Sequence, residues 1–414
     1  MTTRLASGEQ RACIMLIVAL GAYGASLILI LMLGRAAHTQ LPDVPFVATL
    51  LWTACAAIAA SPLRHLVVAF ASPGDAGKEH QRDREIRRNT MKAIVQEVYG
   101  SADVLELKDI DTPTAGDGDV LLRVHAAGVD QGVWHLMTGL PYLMRIMGVG
   151  FRKPKARVRG TDVAGRVEAV GKHVTQFHPG DEVFGTANGS FAEYACAKQD
   201  KLAPKPANLT FAQAAAVPVS ACTALHGVRD AGKVQPGQKV LIVGAGGGVG
   251  TFAVQLAKAF GANVSGVCST AKADLVRSIG ADDVIDYTRE DFADGTRHYD
   301  LILDTAGNRP LSLLRRALSP QGTLVIVGGE GGGRWLGGFD RQLRAPMVSR
   351  FGHQHLRGLL SFARQQDLQV LKELIEAGKV TPVVDRTYPL SEAPEAIKYM
   401  REGHARGKVV IAIV

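Results

Sequence analysis

The stretch QKVLIVGAGGGVGTFAVQLAKAFG, Gln238 to Gly261, decides how the rest of the chain is read. Val240 to Val243 are four apolar residues in a row, the run expected of a strand buried on both faces of a parallel sheet. The run breaks at Gly244, stays glycine-rich to Gly250, and then takes helical spacing over Thr251–Phe260. Phe252, Leu256 and Phe260 fall on one helical face, and Gly261 stands where a helix C-cap favours positive φ. Strand, glycine turn and helix in this order form a phosphate cradle. Glycines let the backbone approach a pyrophosphate, and unpaired N–H groups at the helix start face the anion. The strict G-x-G-x-x-G spacing is not met, because Ala245 takes the first glycine's place and leaves A-x-G-G-x-G. Glycine turns of this kind also serve tight strand–helix packing without a ligand.

Outward from this stretch the pattern alternates. Strands are expected at Lys239–Val243, Asn263–Cys268, Asp283–Ile285, Leu301–Asp304 and Thr323–Val327, with helices at Thr251–Phe260, Lys272–Ile279 and Leu311–Leu318. Such alternation implies a doubly wound α/β sheet with helices on both faces. Gly329–Gly338 is glycine-rich and reads as a mobile loop; Leu368–Ala377 and Pro394–Arg401 read as helices and Lys408–Val414 as a closing strand. Upstream, Met91 begins a block of short β patterns, among them Val120–Val124 and Val163–Val170, separated by Gly, Pro and Asp. This block reads as a small, partly closed sheet domain.

The chain has 414 residues, which suits two domains and an additional segment. Its net charge of +8 comes from basic residues mixed with acids, and no signature for reading RNA or DNA is present. Nucleic acid is therefore not an expected partner. Cys13, Cys55, Cys196, Cys222 and Cys268 lie far apart, with no C-x-x-C pair and no zinc spacing. Neither a disulfide framework nor a structural metal lobe is implied, which fits a reducing compartment.

Ala12–Gly34 carries no charge and reaches the roughly 20 apolar residues that a membrane span needs. Val44–Leu63 is a second uncharged run, and the two read as a membrane hairpin within residues 1–72. Basic residues flank the pair: Arg4 and Arg11 before it; Arg64, Lys78, Arg82, Arg84, Arg87 and Arg88 after it. Both ends should then face the cytoplasm. A soluble helical pair is the alternative. Residues 73–90 are polar and highly charged, a linker.

From Met91 onward the sequence resembles the medium-chain dehydrogenase/reductases, in their zinc-independent quinone-oxidoreductase-like branch. The resemblance rests on ordered motifs: AAGVD (126–130), GTDVAGRVEAVG (160–171), PGDEVFG (179–185), GSFAEYA (189–195), TALHGV (223–228), GAGGGVG (244–250), IGADDVIDY (279–287), LILDTAG (301–307) and GKVVI (407–411). It implies a GroES-like β domain at 91–216, a Rossmann dinucleotide-binding domain at 217–355, and a return to the first domain at 356–414. It also makes a homodimer an expectation. Nothing in it covers residues 1–90, and Met91 sits where family chains tend to start; a chain begun there would be cytoplasmic and without the anchor.

Zinc-dependent relatives use a Cys in the segment matching Ala126–Asp130 and Gly-His-Glu where this chain has Gly160, Thr161 and Asp162. Thr161 cannot supply an imidazole to a tetrahedral site, and the isolated Asp130 and Asp162 read as turn or surface residues. No metal is expected. Without a Lewis acid, reduction of a quinone or an α,β-unsaturated carbonyl is the reaction asking least of the protein, since conjugation spreads the incoming charge. Tyr142, in TGLPY (138–142), resembles the family's tyrosine at the substrate mouth, with Trp134 shortly before it to stack on a flat ring. Ordinary aromatic packing is the alternative for both.

For the cofactor, the resemblance points to Thr223, Gly246, Gly247, Gly248, Val249, Gly250, Ser269, Thr270, Lys272, Tyr287, Thr305 and Gly328. The second strand of the sheet ends in Val267, Cys268, Ser269 and Thr270, with no acid to repel a 2′-phosphate. NADPH is thus expected over NADH, with Lys272 as a cationic donor. Cys222 and Cys268 have no base partner and read as inert. The expected activity is hydride transfer from NADPH to a quinone or enone. A 2-enoyl-thioester or alcohol/aldehyde reductase is the alternative within enzymes, and a non-catalytic NADPH sensor or membrane scaffold the alternative outside them.

Overall fold

The computed structural model describes residues 90–329, 333–349 and 352–413. The expected membrane hairpin at 12–34 and 44–63, and nearly all of the linker, lie outside the described residues. Among the described residues no helix is long and apolar enough to cross a membrane.

The chain opens with a two-stranded antiparallel ribbon, β1 (Thr90–Gln96) and β2 (Leu105–Asp111). Five further strands follow: β3 (Asp119–Val129), β4 (Asp162–Val170), β5 (Glu182–Thr186), β6 (Tyr194–Lys198) and β7 (Leu202–Pro204). Between β3 and β4 stands helix α1 (Gln131–Thr138), which Asp130 caps by accepting from the Val133 N–H at 3.1 Å. Val120, Leu122, Val124, Val163, Val167 and Val183 point inward from these strands and are buried.

Helix α2 (Pro218–Leu225) leads into the second layer. There β8 (Lys239–Val243), β9 (Asn263–Cys268), β10 (Asp283–Asp286), β11 (Tyr299–Asp304), β12 (Leu318–Ile326) and β13 (His355–Gly358) form a six-stranded sheet in the order β10-β9-β8-β11-β12-β13. All of its pairings are parallel. The order reverses between β8 and β11, and such a switch point leaves a crevice at the strands' carboxyl ends. Helices α3 (Gly248–Ala259), α4 (Ala273–Ser278), α5 (Leu311–Arg316), α6 (Phe339–Ser349) and α7 (Gln365–Glu376) accompany this sheet. The chain ends with β14 (Val384–Pro389), α8 (Ala393–Arg401) and β15 (Lys408–Ala412). Strand β15 pairs antiparallel with β3, so the last residues complete the first domain's sheet, ordered β14-β15-β3-β4-β5-β7 with β6 also on β3.

Val240 to Val243 are buried, as a central parallel strand requires, and Phe252 and Leu256 pack beneath them. Gly261, with φ of 83°, donates its N–H to Lys258 O at 2.9 Å and ends α3. Helix α3 starts at Gly248, three residues before the hydrophobic spacing does, because the glycines themselves form its first turn. The sheet's sixth strand crosses the domain boundary expected at residue 355. Both β13 and α6 lack an apolar pattern: Leu356 alone is buried in β13 and Ala345 alone in α6. The described part of the glycine-rich stretch, 333–338, is tied down, since the Arg334 and Trp335 carbonyls accept from the Tyr142 and Leu143 N–H groups at 2.8 and 3.1 Å.

Candidate active site

A cleft of about 600 Å³ lies between the two sheets at the carboxyl edge of β8, β9, β11 and β12. The turn from Gly244 to Gly247 forms its floor. Gly244 has φ of 87°, and a Cβ on it would strike the Thr305 hydroxyl at 2.6 Å. Gly247 is the N-cap of α3 in extended backbone, and a Cβ there would meet only Gly244 O, at 3.4 Å. Gly250 differs: its Cβ would lie 2.1 Å from Gly244 O, so this glycine lets the helix close on the turn. The head of α3 thus presents backbone N–H groups to open space, a setting suited to an anion.

Gly246, Gly247, Gly248, Val249, Thr223, Ser269, Lys272, Tyr287, Thr305 and Gly328 all line this cleft. Thr223 on α2 donates its hydroxyl to Val219 O at 2.7 Å, and Thr305 donates to Val243 O at 2.7 Å. Both hydroxyls keep lone pairs for a ligand. Lys272 is pinned: its ammonium donates to Gly403 O and Ala405 O at 2.9 and 2.7 Å, tying α4's start to the loop before β15. Its burial moves its pKa down. Gly250 and Thr270 are not among the lining residues. The Thr270 hydroxyl donates instead to Asp286.

Tyr142 and Trp134, expected at the substrate mouth, also stand outside the lining. The Tyr142 ring meets Trp335 edge-on at 5.4 Å and lies under the Arg145 guanidinium at 4.9 Å. Trp134 packs with α8 and lies 5.0 Å beneath the Arg401 guanidinium. Local aromatic and cationic neighbours claim both rings. Cys268 does line the cleft; burial raises its thiol pKa, and that of Cys222, as expected of inert cysteines.

Two groups, Lys408 and Arg341, were not singled out in the sequence, and a third, Asp162, was read as a turn or surface residue. Lys408, in GKVVI, is buried at the cleft, where its ammonium donates to Asp162 Oδ2 at 3.3 Å and to Ser220 Oγ at 3.0 Å. Asp162 is fully buried, contrary to the surface or turn placement expected of it. Its other oxygen accepts from the Val219 N–H at 2.9 Å. Burial pushes its pKa up to about 7, against the pull of Lys408 and with a further push from Asp130. Arg341, from α6, donates to the fully buried Asp304 at 2.7 Å and to Arg309 O at 2.8 Å, which holds the 305–309 turn against the cleft. Arg309 itself lines the cleft, 5.8 Å from the Tyr287 ring. The family motif already contains Lys408, whereas the pairing of Arg341 had no signal in a helix without hydrophobic spacing.

Among the described residues, three side chains of metal-ligand type come within mutual reach at His226, Asp230 and Asp367. Arg229 bonds both of those carboxylates and already supplies the cation there.

A doubly wound sheet with a glycine turn at its switch point, closed over by a second β domain, defines a dinucleotide-dependent oxidoreductase. Residues 116–207 match the family described as alcohol dehydrogenase GroES-like domain, and residues 279–411 the family described as zinc-binding dehydrogenase. The mouse mitochondrial NAD(P)H oxidoreductase RTN4IP1 is 33% identical over 362 residues, covering 79% of this chain and 90% of that protein. The chloroplastic NADPH-dependent alkenal/one oxidoreductase of Arabidopsis thaliana is 33% identical over 339 residues, covering 78% and 79%. Among solved structures, the quinone oxidoreductase of Coxiella burnetii superposes with a TM-score of 0.69 at 29% identity, over 78% of this chain and all of that one. The chain belongs to the medium-chain dehydrogenase/reductase superfamily. It is an oxidoreductase that uses a nicotinamide cofactor and a small-molecule substrate.

Proposed function

We propose that this chain moves a hydride from NADPH to a quinone or an α,β-unsaturated carbonyl, with no metal at the reaction centre. The reading is carried by the Gly244–Val249 turn, which opens into a cleft beside one buried ammonium, Lys408. The dinucleotide, when bound, would supply the hydride. Backbone N–H groups of Gly248 and Val249 and the Lys408 ammonium would hold its pyrophosphate, while the Gly247 N–H closes the turn on Gly244 O at 3.1 Å. Thr223, Thr305 and Gly328 would position the nicotinamide end, and the walls of the two domains would exclude water around it.

Ser269 and Arg309 line the cleft near Tyr287, and no carboxylate ends β9; this supports a 2′-phosphate and hence NADPH. Lys272 faces the same region with two of its three N–H groups engaged. Zinc is disfavoured by Thr161 and by the two contacts that already occupy Asp162, one of them a cation. With Tyr142 outside the cleft lining, solvent supplies the proton.

Relatives that include an alkenal/one oxidoreductase and a quinone oxidoreductase support quinones and alkenals or enones as acceptor classes. A purified-enzyme screen of quinones, enones, aldehydes and 2-enoyl thioesters with both nicotinamide cofactors tests this. NADPH oxidation with a quinone or enone is expected. Turnover confined to thioesters or aldehydes, or binding with no turnover, would replace the reading.

The uncharged runs at 12–34 and 44–63 would tether the enzyme to a membrane; equal soluble yields of the full chain and one begun at Met91 would end that part. For a homodimer, the support is edge strand β13 flanked by exposed Leu343, Met347, Leu360 and Phe362, and light scattering of the purified chain decides it.

A further inference from the structure

Between Gln131 and Thr161 the chain carries six Lys and Arg residues and no Asp or Glu. The middle of this stretch lies at the surface. Ile146, Met147 and Phe151 are 65%, 65% and 73% exposed, an unusual fate for three large apolar side chains so close together. Trp335, 69% exposed, joins them from the other domain. Its backbone contact is firm, since the Arg334 and Trp335 carbonyls accept from the Tyr142 and Leu143 N–H groups, and its ring meets Tyr142. Arg145 stiffens the base by stacking on Tyr99 at 4.1 Å and donating to Gly139 O at 2.8 Å.

The cations are sorted by role. Arg157 pairs with Glu97, and Arg159 is buried on backbone carbonyls. Arg152, Lys153 and Lys155 are exposed beside the apolar tip, with Arg334 next to Trp335. Apolar residues, a tryptophan and flanking cations on one lip match the chemistry of an anionic bilayer: acyl chains take the apolar tip, the indole sits at headgroup level, and phosphates meet the ammonium and guanidinium groups. An anionic lipid surface meets the exposed Arg152, Lys153, Lys155 and Arg334 and the apolar tip together.

We infer that the lip formed by residues 145–155 and 334–336 docks on a membrane surface containing anionic lipid. The lip adjoins the cleft: Gly329 lines the cleft and lies against Gly338, just past Trp335, and His135 lines it and bonds Leu140 O at 2.8 Å, just before the other half of the lip. Docking would therefore set the cleft's mouth against the bilayer, where a lipophilic acceptor is concentrated. That consequence rests on the acceptor class proposed above; the docking itself does not.

The test uses the full chain carrying Trp52→Phe, which leaves Trp134 and Trp335 of the three tryptophans. Trp134 is screened by Arg401 and α8, so emission lost to brominated acyl chains reports Trp335. With vesicles of phosphatidylglycerol and phosphatidylcholine we expect quenching that disappears when Trp335→Phe is added. Each basic residue near an anionic surface strengthens association roughly fivefold, so Arg152→Gln, Lys153→Gln and Lys155→Gln together should weaken it about a hundredfold. High salt should do the same. A melting transition like the parent's shows that the triple variant is folded. Whether or not the N-terminal runs insert, this readout follows the lip alone. Trp335 left unquenched on anionic vesicles overturns the inference, including the case where another segment of the chain covers it. Equal quenching on neutral vesicles or in the triple variant overturns it as well.

Discussion

Two glycines three positions apart separate the two things a glycine turn can do. Gly247→Ala places a methyl group where the nearest protein atom is 3.4 Å away, in a backbone conformation open to any residue. Folding should tolerate it, and a Gly→Ala change at a permitted φ/ψ often stabilises by about 0.4–1 kcal/mol. The methyl would instead occupy the space through which a pyrophosphate approaches the head of α3. Losing one hydrogen bond to a charged group costs about 1.5–3 kcal/mol, a ten- to hundredfold rise in Kd. Gly250→Ala does the reverse: its methyl would sit 2.1 Å from Gly244 O and 2.8 Å from Ala245 Cα, both backbone atoms that cannot swing aside. Overpacking of this kind costs about 1–3 kcal/mol of stability. Fluorescence titration with NADPH beside thermal unfolding of both variants distinguishes the cases. Should Gly247→Ala bind NADPH as tightly as the parent, the turn serves strand–helix packing and the cofactor site lies elsewhere.

Asp304→Ala would leave the Arg341 guanidinium buried without its partner and should cost about 3–5 kcal/mol in urea unfolding; a loss below 1 kcal/mol would mean that the 305–309 turn is held by other contacts. Asp162, with its folded pKa raised from its ordinary value near 4 to about 7, keeps a proton that the unfolded chain releases between those values. Its contribution to stability therefore falls as pH rises across that window, by up to about 4 kcal/mol. Subtracting the unfolding free energy of Asp162→Asn at each pH isolates the slope, and a flat difference would contradict it. Arg309→Ala should raise KM for NADPH about ten- to hundredfold and leave NADH almost unchanged, from the loss of one charge-assisted bond to the 2′-phosphate. An equal effect on both cofactors would move the 2′-phosphate away from Arg309.

The central sheet and the glycine turn were legible because each depends on a short, contiguous signal. Val240–Val243 had to be buried on both sides, and no side chain larger than hydrogen fits at Gly250. The pieces that escaped detection have no such local signal. Strand β13 needs one buried leucine and a neighbour to pair with; helix α6 is mostly polar, yet Arg341 on it holds Asp304 across 37 positions of sequence. The setting of the aromatic pair was hidden for a related reason. Tyr142 stands in the motif and Trp134 shortly before it, and their rings meet Trp335 and Arg401, residues roughly two hundred or more positions away whose arrival a local pattern does not announce.

The amino-acid sequence by itself determined the class of each layer, the glycine cradle and the membership in its superfamily, since hydrophobic period and glycine placement act over a few residues. Only the tertiary structure decided that Asp162 is buried against Lys408, that Lys272 is tied to the final loop, and that a basic, apolar lip stands beside the cleft. Each of these is set by groups brought together from distant parts of the chain, where desolvation and charge pairing depend on three-dimensional neighbours.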